Sequence, residues 1–550
     1  MIDFAKRPEE PAPSIWWLAI FAAAWLGALS IQPMPDPRAP SEFDTASAYR
    51  ELETLCLGPR LGGNAYHTAA LDQLEQRLES AGHGVERFAG RILGLPMVDL
   101  VCVSEGTEST GTVLVMAHYD SRAPDCPGAS DDGIGTVAAL QIFTTLAAAP
   151  HRNDLVLLLT DGEELGLHGA TLFVERHPLA VEIDAVVNLE SLGNGGPAWL
   201  FETGPEDGRW IRRFAREAPL PIGDSLAEWI YRTAMKRRNT DFTRFRDRGV
   251  GGFNFANVWG TKANHQAFDT PANLTLASLT HLGESGLAAT RILVEENLSA
   301  PKEAEPAFFE VPGIGMVAIA PWLSSALAWL AVALGLAVAW RGARTYGASS
   351  AVWSLCVGLG ALLAALGCSL GASHLVAEVV SWFGPEHVPT GNETSMRLFA
   401  VGVGLFSGGV FAAVAARLAR CFEVFLVPWA IATVWLELVT PLSSHAASVP
   451  LLVTAVVALA PRPLRPLLAA AGLSFVALFL GPLLRTLPQI ISQLLTPSTL
   501  AGAFPNAALV ALLLVPFGPA LAKRPRLAVD VLAVGGALLA WWAVGDARGW

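Results

Sequence analysis

Charged residues are scarce in this chain of 550 residues: Asp, Glu, Lys and Arg make up 16% of it, against 52% hydrophobic residues. A composition this apolar excludes a single ordinary soluble domain. The net charge of −12 gives no sign of a basic surface, so no nucleic-acid partner is expected. The charged residues that are present concentrate in the middle of the chain, which predicts a hybrid of globular and membrane parts.

Cysteine is also rare, with six residues. Cys56, Cys102 and Cys126 precede the apolar half of the chain and could form one disulfide with one thiol left over. So few cysteines exclude a disulfide scaffold, and the position of Cys126 matches no CxxC pattern that would bind a metal through thiolates. The globular part must therefore rest on a hydrophobic core.

The first residues predict a membrane anchor. Residues 1–13 are polar and carry Lys6 and Arg7, whereas residues 14–32 are almost uncharged and long enough to cross a bilayer. Because the basic side of a span stays in the cytoplasm, we predict a cytoplasmic tail at 1–13 and a transmembrane helix at 14–32. A cleaved signal peptide is the alternative, and either one exports the residues that follow.

Residues 33–312 have the pattern of a globular domain. Short apolar runs typical of strands alternate with helical stretches, of which 134–147 is the clearest. The strand-like runs are 98–103, 113–118, 155–160, 185–189, 199–202 and 252–256. This alternation predicts an α/β fold, with a mostly parallel, twisted sheet covered by helices on both faces.

Residues 313–550 have a different sequence pattern, in which long apolar segments are separated by short loops. The segments lie near 318–340, 349–370, 397–416, 422–441, 446–461, 466–482, 501–522 and 527–544. They predict an all-α polytopic domain of eight helices in contact with the lipid bilayer. Lys and Arg fall on alternate loops, which by the positive-inside rule puts the globular domain on the outer side. Abundant Ala, and Arg in excess of Lys, indicate a bacterial genome, so the predicted location is a bacterial inner membrane with the globular domain facing the periplasm or exterior.

Histidines and carboxylates follow the predicted strands of the globular domain, at the point where each strand ends. They are His118, Asp120, Asp131, Glu163, Glu164, Glu190 and His265. Because ligand sites of open α/β sheets lie at the carboxyl ends of the strands, we expect these side chains to converge. Crowded carboxylates resist ionisation, and a pair of divalent cations removes that penalty. Two histidines with carboxylates suit zinc, although manganese or cobalt could bind the same groups.

The motifs around these residues resemble those of the M28 family of zinc peptidases, which are aminopeptidase-like, and in particular the membrane-embedded branch similar to the endoplasmic reticulum metallopeptidase. The resemblance covers about residues 51–298. The motifs that carry it are Leu57-Gly58-Pro59-Arg60, Ala117-His118-Tyr119-Asp120-Ser121, Gly128-Ala129-Ser130-Asp131-Asp132-Gly133, Asp161-Gly162-Glu163-Glu164, Asn188-Leu189-Glu190, Thr240-Asp241-Phe242-Thr243-Arg244-Phe245 and His265-Gln266-Ala267-Phe268-Asp269-Thr270. Each motif alone is modest evidence, and the ordered set is specific.

The resemblance implies two zinc ions per chain. His118 and Glu190 would bind one ion, Glu164 and His265 would bind the other, and Asp131 would bridge both. Two adjacent metals polarise the scissile carbonyl and lower the pKa of a water.

The resemblance also implies the groups that act on protons. Glu163 would be the general base, which takes a proton from the water and passes it to the leaving amine. Asp120 would hold the ring of His118 by its other nitrogen. A cis peptide bond is implied between Asp131 and Asp132. The family often has Tyr before the last histidine, where this chain has Asn264, so the donor to the oxyanion is in doubt.

The predicted function is therefore a membrane-anchored, two-zinc hydrolase of peptides, an aminopeptidase that removes N-terminal residues. One alternative is a glutaminyl cyclase-like enzyme with a single zinc, although Asp131-Asp132-Gly133-Ile134-Gly135 looks like the peptidase version of the motif. Another is an inactive membrane receptor or scaffold, against which the complete ligand set argues. Side-chain preference, the choice among amino-, carboxy- and dipeptidase, and the oligomeric state are left open.

Overall fold

The computed structural model describes residues 34–234, 239–260, 263–311, 314–361 and 418–461, with a few single positions between 363 and 479. The described residues fall into two compact units, which divide between Pro321 and Trp322. The first unit ends in an antiparallel hairpin of two strands, Ala307–Val311 and Gly315–Ile319. The predicted domain boundary at residue 312 lies between these two strands.

A seven-stranded mixed sheet forms the centre of the first unit, in the order β1-β2-β4-β3-β5-β7-β6. Its strands are β1 Val85–Ile92, β2 Leu95–Ser104, β3 Thr112–His118, β4 Asp154–Thr160, β5 Ile183–Ser191, β6 Gly195–Thr203 and β7 Gly251–Trp259. Strands β4, β3, β5 and β7 run parallel. Strands β1, β2 and β6 pair antiparallel at the two edges.

The predicted α/β fold is confirmed, but the sheet is mixed. β1 was not predicted, and it forms a hairpin with β2 through Leu93 and Gly94, whose φ angles are 49° and 85°. Two-residue hairpin turns require such positive φ values, and a connection this short forces the strands to run antiparallel.

Helices cover both faces of the sheet, as predicted. The helices of this unit are Thr45–Leu55, Ala65–Ser80, Ile134–Ala147, His168–Arg176, Gly208–Glu217, Ser225–Ala234, Phe242–Arg246 and Leu276–Glu295. Alternate side chains of β3 point to opposite faces: Val113 and Val115 join the core under helices 134–147 and 276–295, while Leu114 joins the core under helices 168–176 and 242–246. A strand buried on both faces is apolar at every position, which is why these strands read as continuous apolar runs.

The described residues from Trp322 onward are mainly helical. The helices are Pro321–Tyr346, Ala348–Ala361, Leu426–Val439 and His445–Leu459. By length and composition, one helix in the described part of the chain, Pro321–Tyr346, is long and apolar enough to cross a membrane. These helices overlap the predicted spans 318–340, 349–370, 422–441 and 446–461. The predicted spans 14–32, 397–416, 466–482, 501–522 and 527–544 lie largely or wholly outside the described residues.

The disulfide that the sequence allowed in the first unit is not formed. Cys56, Cys102 and Cys126 are all buried free thiols. The core of this unit therefore rests on apolar burial, which contributes roughly 1.5–3 kcal/mol for each large side chain removed from water.

A buried histidine connects the helix 276–295 to the edge of the sheet. Nδ1 of His281 accepts a hydrogen bond from the Ala198 amide at 2.8 Å, and Nε2 donates to the Leu220 carbonyl at 2.8 Å. Burial lowers the pKa of His281 to about 4, against the hydrogen bond to Leu220, which raises it. The folded protein thus holds this ring neutral.

Replacing His281 with Gln should flatten the loss of stability in weak acid. Because the folded pKa lies below the unfolded value, the stabilisation is complete above about pH 6.5 and is lost as the pH falls toward 4. Between pH 7 and pH 5 this loss amounts to roughly 2 kcal/mol in the wild type. Thermal unfolding of both proteins at the two pH values measures it, and an equal decrease in Tm for the variant would show that His281 does not titrate in this way.

Candidate metal centre

The predicted site residues come together at one edge of the sheet, where the parallel strands end. His118 is the last residue of β3, and Glu190 is the next-to-last residue of β5. Glu163 and Glu164 follow β4, which ends at Thr160. His265 lies in the segment after β7. The strand order places β3 between β4 and β5, so residues far apart in the sequence become neighbours at this edge.

Asp131 lies between the two histidines. Its Oδ1 is 3.2 Å from Nε2 of His118, and its Oδ2 is 3.2 Å from Nε2 of His265. Nε2 of His118 is also 3.8 Å from Oε2 of Glu190, and Nε2 of His265 is 3.1 Å from Oε1 of Glu164. Two clusters of ligand-type atoms therefore share one carboxylate, with one of its oxygens on each side.

The peptide bond between Asp131 and Asp132 is cis, as the resemblance implied. Asp132 is fully buried, and its Oδ1 accepts a hydrogen bond from the Gly135 amide at 3.1 Å. Its carboxylate also has an oxygen within 4.8 Å of ligand-type atoms of His118 and Glu190. The sequence did not predict that the Asp132 carboxylate lies near His118 and Glu190, because nothing in the sequence distinguishes Asp132 from an ordinary residue of the turn.

The donor set fits a pair of zinc ions. The ligand-type atoms of Asp131, Glu164 and His265 also lie within 4.8 Å of one another. Imidazole nitrogen and carboxylate oxygen are the ligands that zinc accepts in open sites. Carboxylates crowded at this spacing repel each other when ionised, and divalent cations between them remove the repulsion.

Burial and neighbouring groups shift the pKa values of these side chains in the metal-free protein. Burial raises the pKa of Glu190 well above its usual range. Burial alone would also raise the pKa of Asp131, but hydrogen bonds to His118 and His265 outweigh it and hold that pKa well below its usual range. Burial lowers the pKa of His265, but Asp131 and Glu164 raise it to about 9. A metal that binds here must displace protons from imidazole.

Asp120 connects the ring of His118 to the turn that carries the two glutamates. Its Oδ1 lies 3.2 Å from Nδ1 of His118 and accepts a hydrogen bond from the Glu163 amide at 3.1 Å. Its Oδ2 accepts from the Glu164 amide at 3.3 Å. A carboxylate on the far nitrogen of a ligating histidine fixes the tautomer and the ring plane.

Glu163 as a whole residue is half-buried, whereas the other acidic residues of the centre are buried. Burial of its carboxyl group raises its pKa well above the usual range, and the carboxylates of Glu190, Asp241 and Glu164 add to this, while His118 opposes it. A raised pKa is typical of a carboxylate that accepts a proton during a reaction and later releases it.

Asn264 is already engaged with the centre. Its Nδ2 donates a hydrogen bond to Oδ2 of Asp131 at 2.6 Å. An amide in this position supports the shared carboxylate, whereas the sequence left open whether Asn264 donates to the oxyanion.

Asp241, from one of the quoted motifs, is a further carboxylate near this edge of the sheet. It is buried, and it accepts a hydrogen bond from the Thr160 hydroxyl at the end of β4. Burial raises its pKa to about 6. The motif marked this residue, but its side-chain contacts depend on the fold.

Part of the first unit is similar to known peptidases. Residues 99–290 match the model of peptidase family M28. Endoplasmic reticulum metallopeptidase 1 of Rattus norvegicus is 29% identical over 227 residues, which are 40% of this chain and 25% of that protein. Vacuolar membrane protease of Coccidioides posadasii is 36% identical over 188 residues, which are 34% of this chain and 18% of that protein. The chain thus spans a quarter or less of the length of these curated relatives.

Among solved structures, an aminopeptidase from Aneurinibacillus sp. strain AM-1 aligns with 49% of this chain and 97% of its own, at 12% identity and a TM-score of 0.39.

The predicted bacterial inner-membrane location, with the globular domain facing the periplasm or exterior, is wrong. The two relatives are eukaryotic proteins of the endoplasmic reticulum and the vacuolar membrane. The prediction failed because the balance of Arg, Lys and Ala reflects the base composition of a genome. Loop charges orient a chain relative to the cytoplasm and do not identify the membrane.

Proposed function

We infer that residues 99–290 form a domain of the M28 metallopeptidase family, and we propose that the chain is a two-zinc exopeptidase that removes N-terminal residues from peptides. The observation that carries the proposal is the position of Asp131, with one carboxylate oxygen 3.2 Å from each of two histidines. A carboxylate shared in this way is what two adjacent metal ions require.

In this proposal His118 and Glu190 would hold one zinc ion, Glu164 and His265 would hold the other, and Asp131 would be a ligand shared by both. The distances of 3.1–3.8 Å between ligand atoms within each cluster support this assignment. When bound, the two ions would supply Lewis acidity, which polarises a peptide carbonyl and makes water acidic enough to react near neutral pH.

Glu163 is the proposed general base. Its backbone amide is fixed by Asp120, which also holds His118, so the base and a ligand share one support. Its carboxylate would accept the proton of the attacking water and deliver that proton to the leaving amine.

The charge of the centre favours a substrate with a free amino terminus. Asp120, Asp131, Asp132, Glu163, Glu164 and Glu190 carry six negative charges when ionised. Two zinc ions would neutralise four of them, and Arg122, whose Nη1 lies 3.7 Å from Oε2 of Glu164, offsets a fifth. The remaining negative charge attracts the ammonium group of a peptide N-terminus and repels a C-terminal carboxylate. We therefore propose an aminopeptidase, not a carboxypeptidase.

We also propose that the peptidase domain, residues 33–312, is anchored to a bilayer by the apolar region 313–550. The helix Pro321–Tyr346 supports this, because its 26 residues exceed the roughly 20 that a bilayer core requires.

Cleavage of a peptide library with free or acetylated N-termini tests the proposed reaction. The full-length protein in detergent should release single residues from free N-termini and leave acetylated peptides intact, because acetylation removes the ammonium group. Cleavage of both sets would indicate an endopeptidase. Release of ammonia from N-terminal glutamine would instead assign the cyclase reaction.

A further inference from the structure

We propose that Arg60 and Asp269 are positioning residues for Asp131. They hold the segment 119–131 from its two ends, in the conformation that places the Asp131 carboxylate between the two histidines. The inference rests on the proposed function, because it concerns the same centre. Neither residue is a ligand or a base in that proposal.

Arg60 closes the first part of the segment. Its side chain is fully buried, its Nε donates to the Tyr119 carbonyl at 2.6 Å, and its Nη2 donates to the Gly128 carbonyl at 2.9 Å. Nη1 donates to the Pro127 carbonyl as well. One guanidinium thus joins carbonyls on both sides of the loop 120–126.

The charge of Arg60 has no carboxylate at ion-pair distance within the part of the chain that the structure describes. Burying a charge without a paired counter-ion opposes folding, so an ion pair does not explain why an arginine lies here. The geometry instead fits the rigid fork of donors that only arginine offers, which here fixes three carbonyls.

Asp269 fixes the second part of the segment. Its Oδ1 accepts hydrogen bonds from the amide and the hydroxyl of Ser130, both at 2.7 Å, and its Oδ2 accepts from the Asp131 amide at 3.1 Å. The carbonyl of Asp269 also accepts from the Ala129 amide at 3.2 Å. Since Asp269 follows His265 by four residues, it joins the segments that carry two of the proposed ligands.

Gly128 lies where these two sets of contacts meet. Its φ angle is +67°, and a Cβ there would lie 2.6 Å from the Asp131 carbonyl and 3.2 Å from Nη2 of Arg60. The backbone is therefore packed against the guanidinium with no space for a side chain.

The contacts of Arg60 and Asp269 should increase the affinity of the centre for metal. With the segment fixed during folding, the Asp131 carboxylate is already in place, and a metal does not have to order it on binding. Loss of Arg60 or Asp269 should therefore weaken metal binding although every ligand is retained.

Asp269→Asn tests the inference, with Asp207→Asn as the matched control. Asp207 is likewise a buried carboxylate that accepts two backbone hydrogen bonds, from the amides of Gly204 at 2.8 Å and Gly252 at 2.6 Å. It lies near the start of β7, at the opposite end of that strand from the centre. The two substitutions thus remove the same kind of support at different places.

Two measurements on the full-length protein report on the conformation of segment 119–131. Asp269→Asn should lower zinc affinity, measured by competition with a chelator, by about 10–100-fold. It should also speed hydrogen–deuterium exchange of peptides covering 119–131 in the metal-free protein. Asp207→Asn should change neither. Arg60→Met should act in the same way as Asp269→Asn, and Arg60→Lys should not restore affinity, because an ammonium cannot reach three carbonyls.

Wild-type affinity and wild-type exchange in Asp269→Asn would overturn the inference. If Arg60→Met does not fold, Asp269→Asn alone decides. If the wild type binds zinc but cleaves no peptide, the proposed function fails while the affinity and exchange readouts still decide the inference. If the wild type binds no zinc, the exchange readout on metal-free protein decides it.

Discussion

Replacing Glu163 with Gln should lower kcat for release of an N-terminal residue by on the order of 10³-fold, with the zinc content unchanged. The amide is nearly isosteric with the carboxylate but cannot accept the proton of the attacking water. Asp120 accepts the hydrogen bond from the backbone amide of Glu163 at 3.1 Å, so the turn should stay in place without the carboxylate. Steady-state kinetics together with elemental analysis of the purified variant measure both quantities.

Glu164→Gln is the matched control, since it changes the neighbouring residue by the same substitution. Oε1 of Glu164 lies 3.1 Å from Nε2 of His265, so its loss should reduce zinc content together with activity. A Glu163→Gln protein that turned over substrate at the wild-type rate would remove Glu163 from the proposed chemistry.

Replacing Asp131 with Ala should abolish binding of both metal ions, because each cluster loses the carboxylate that it shares. Glu190→Gln should abolish one, since Glu190 lies beside His118 only, with its Oε2 3.8 Å from Nε2 of that residue. The zinc content of each variant, relative to wild type and to protein stripped by a chelator, distinguishes a shared ligand from two independent sites.

Retention of one zinc by Asp131→Ala would show that Asp131 serves a single site. Retention of none by Glu190→Gln would show that the two sites cannot fill separately. The first result would require a different arrangement of ligands, whereas the second would leave the ligands as proposed and couple the filling of the two sites through the shared carboxylate.

The sequence was sufficient to predict the buried strands and the residues at their ends. Strands β3, β4 and β5 are buried at nearly every position because helices cover both faces of the sheet, and the apolar stretches within them are visible as runs in the sequence. Parallel strands deliver their carboxyl ends to one edge, so His118 and Glu190 could be expected to meet there.

The supporting contacts could not be predicted, because they join distant parts of the chain. Arg60 bonds to Tyr119 across 59 positions, and Asp269 bonds to Ser130 across 139. Both residues stand in motifs that the resemblance singled out, yet a motif does not state which carbonyl or amide a side chain will reach. The three-dimensional structure is needed to show which of these groups lie within hydrogen-bond distance.

The position of the Asn264 side chain also could not be predicted from the sequence. An amide beside a histidine fits several roles, and its contact with Asp131 at 2.6 Å follows from the path of the chain after β7. The antiparallel edges of the sheet are a similar case, because the turn at Leu93 and Gly94 carries no Asn-Gly or Asp-Gly signal for a hairpin.

Titration of the metal-free, full-length protein with zinc tests the central claim most directly. Binding followed by calorimetry, with peptidase activity measured at each addition, should saturate at two zinc ions per chain, and activity should reach its maximum only when both are bound. Saturation at a single zinc ion, with full activity at that point, would contradict a centre built on a carboxylate shared between two metals.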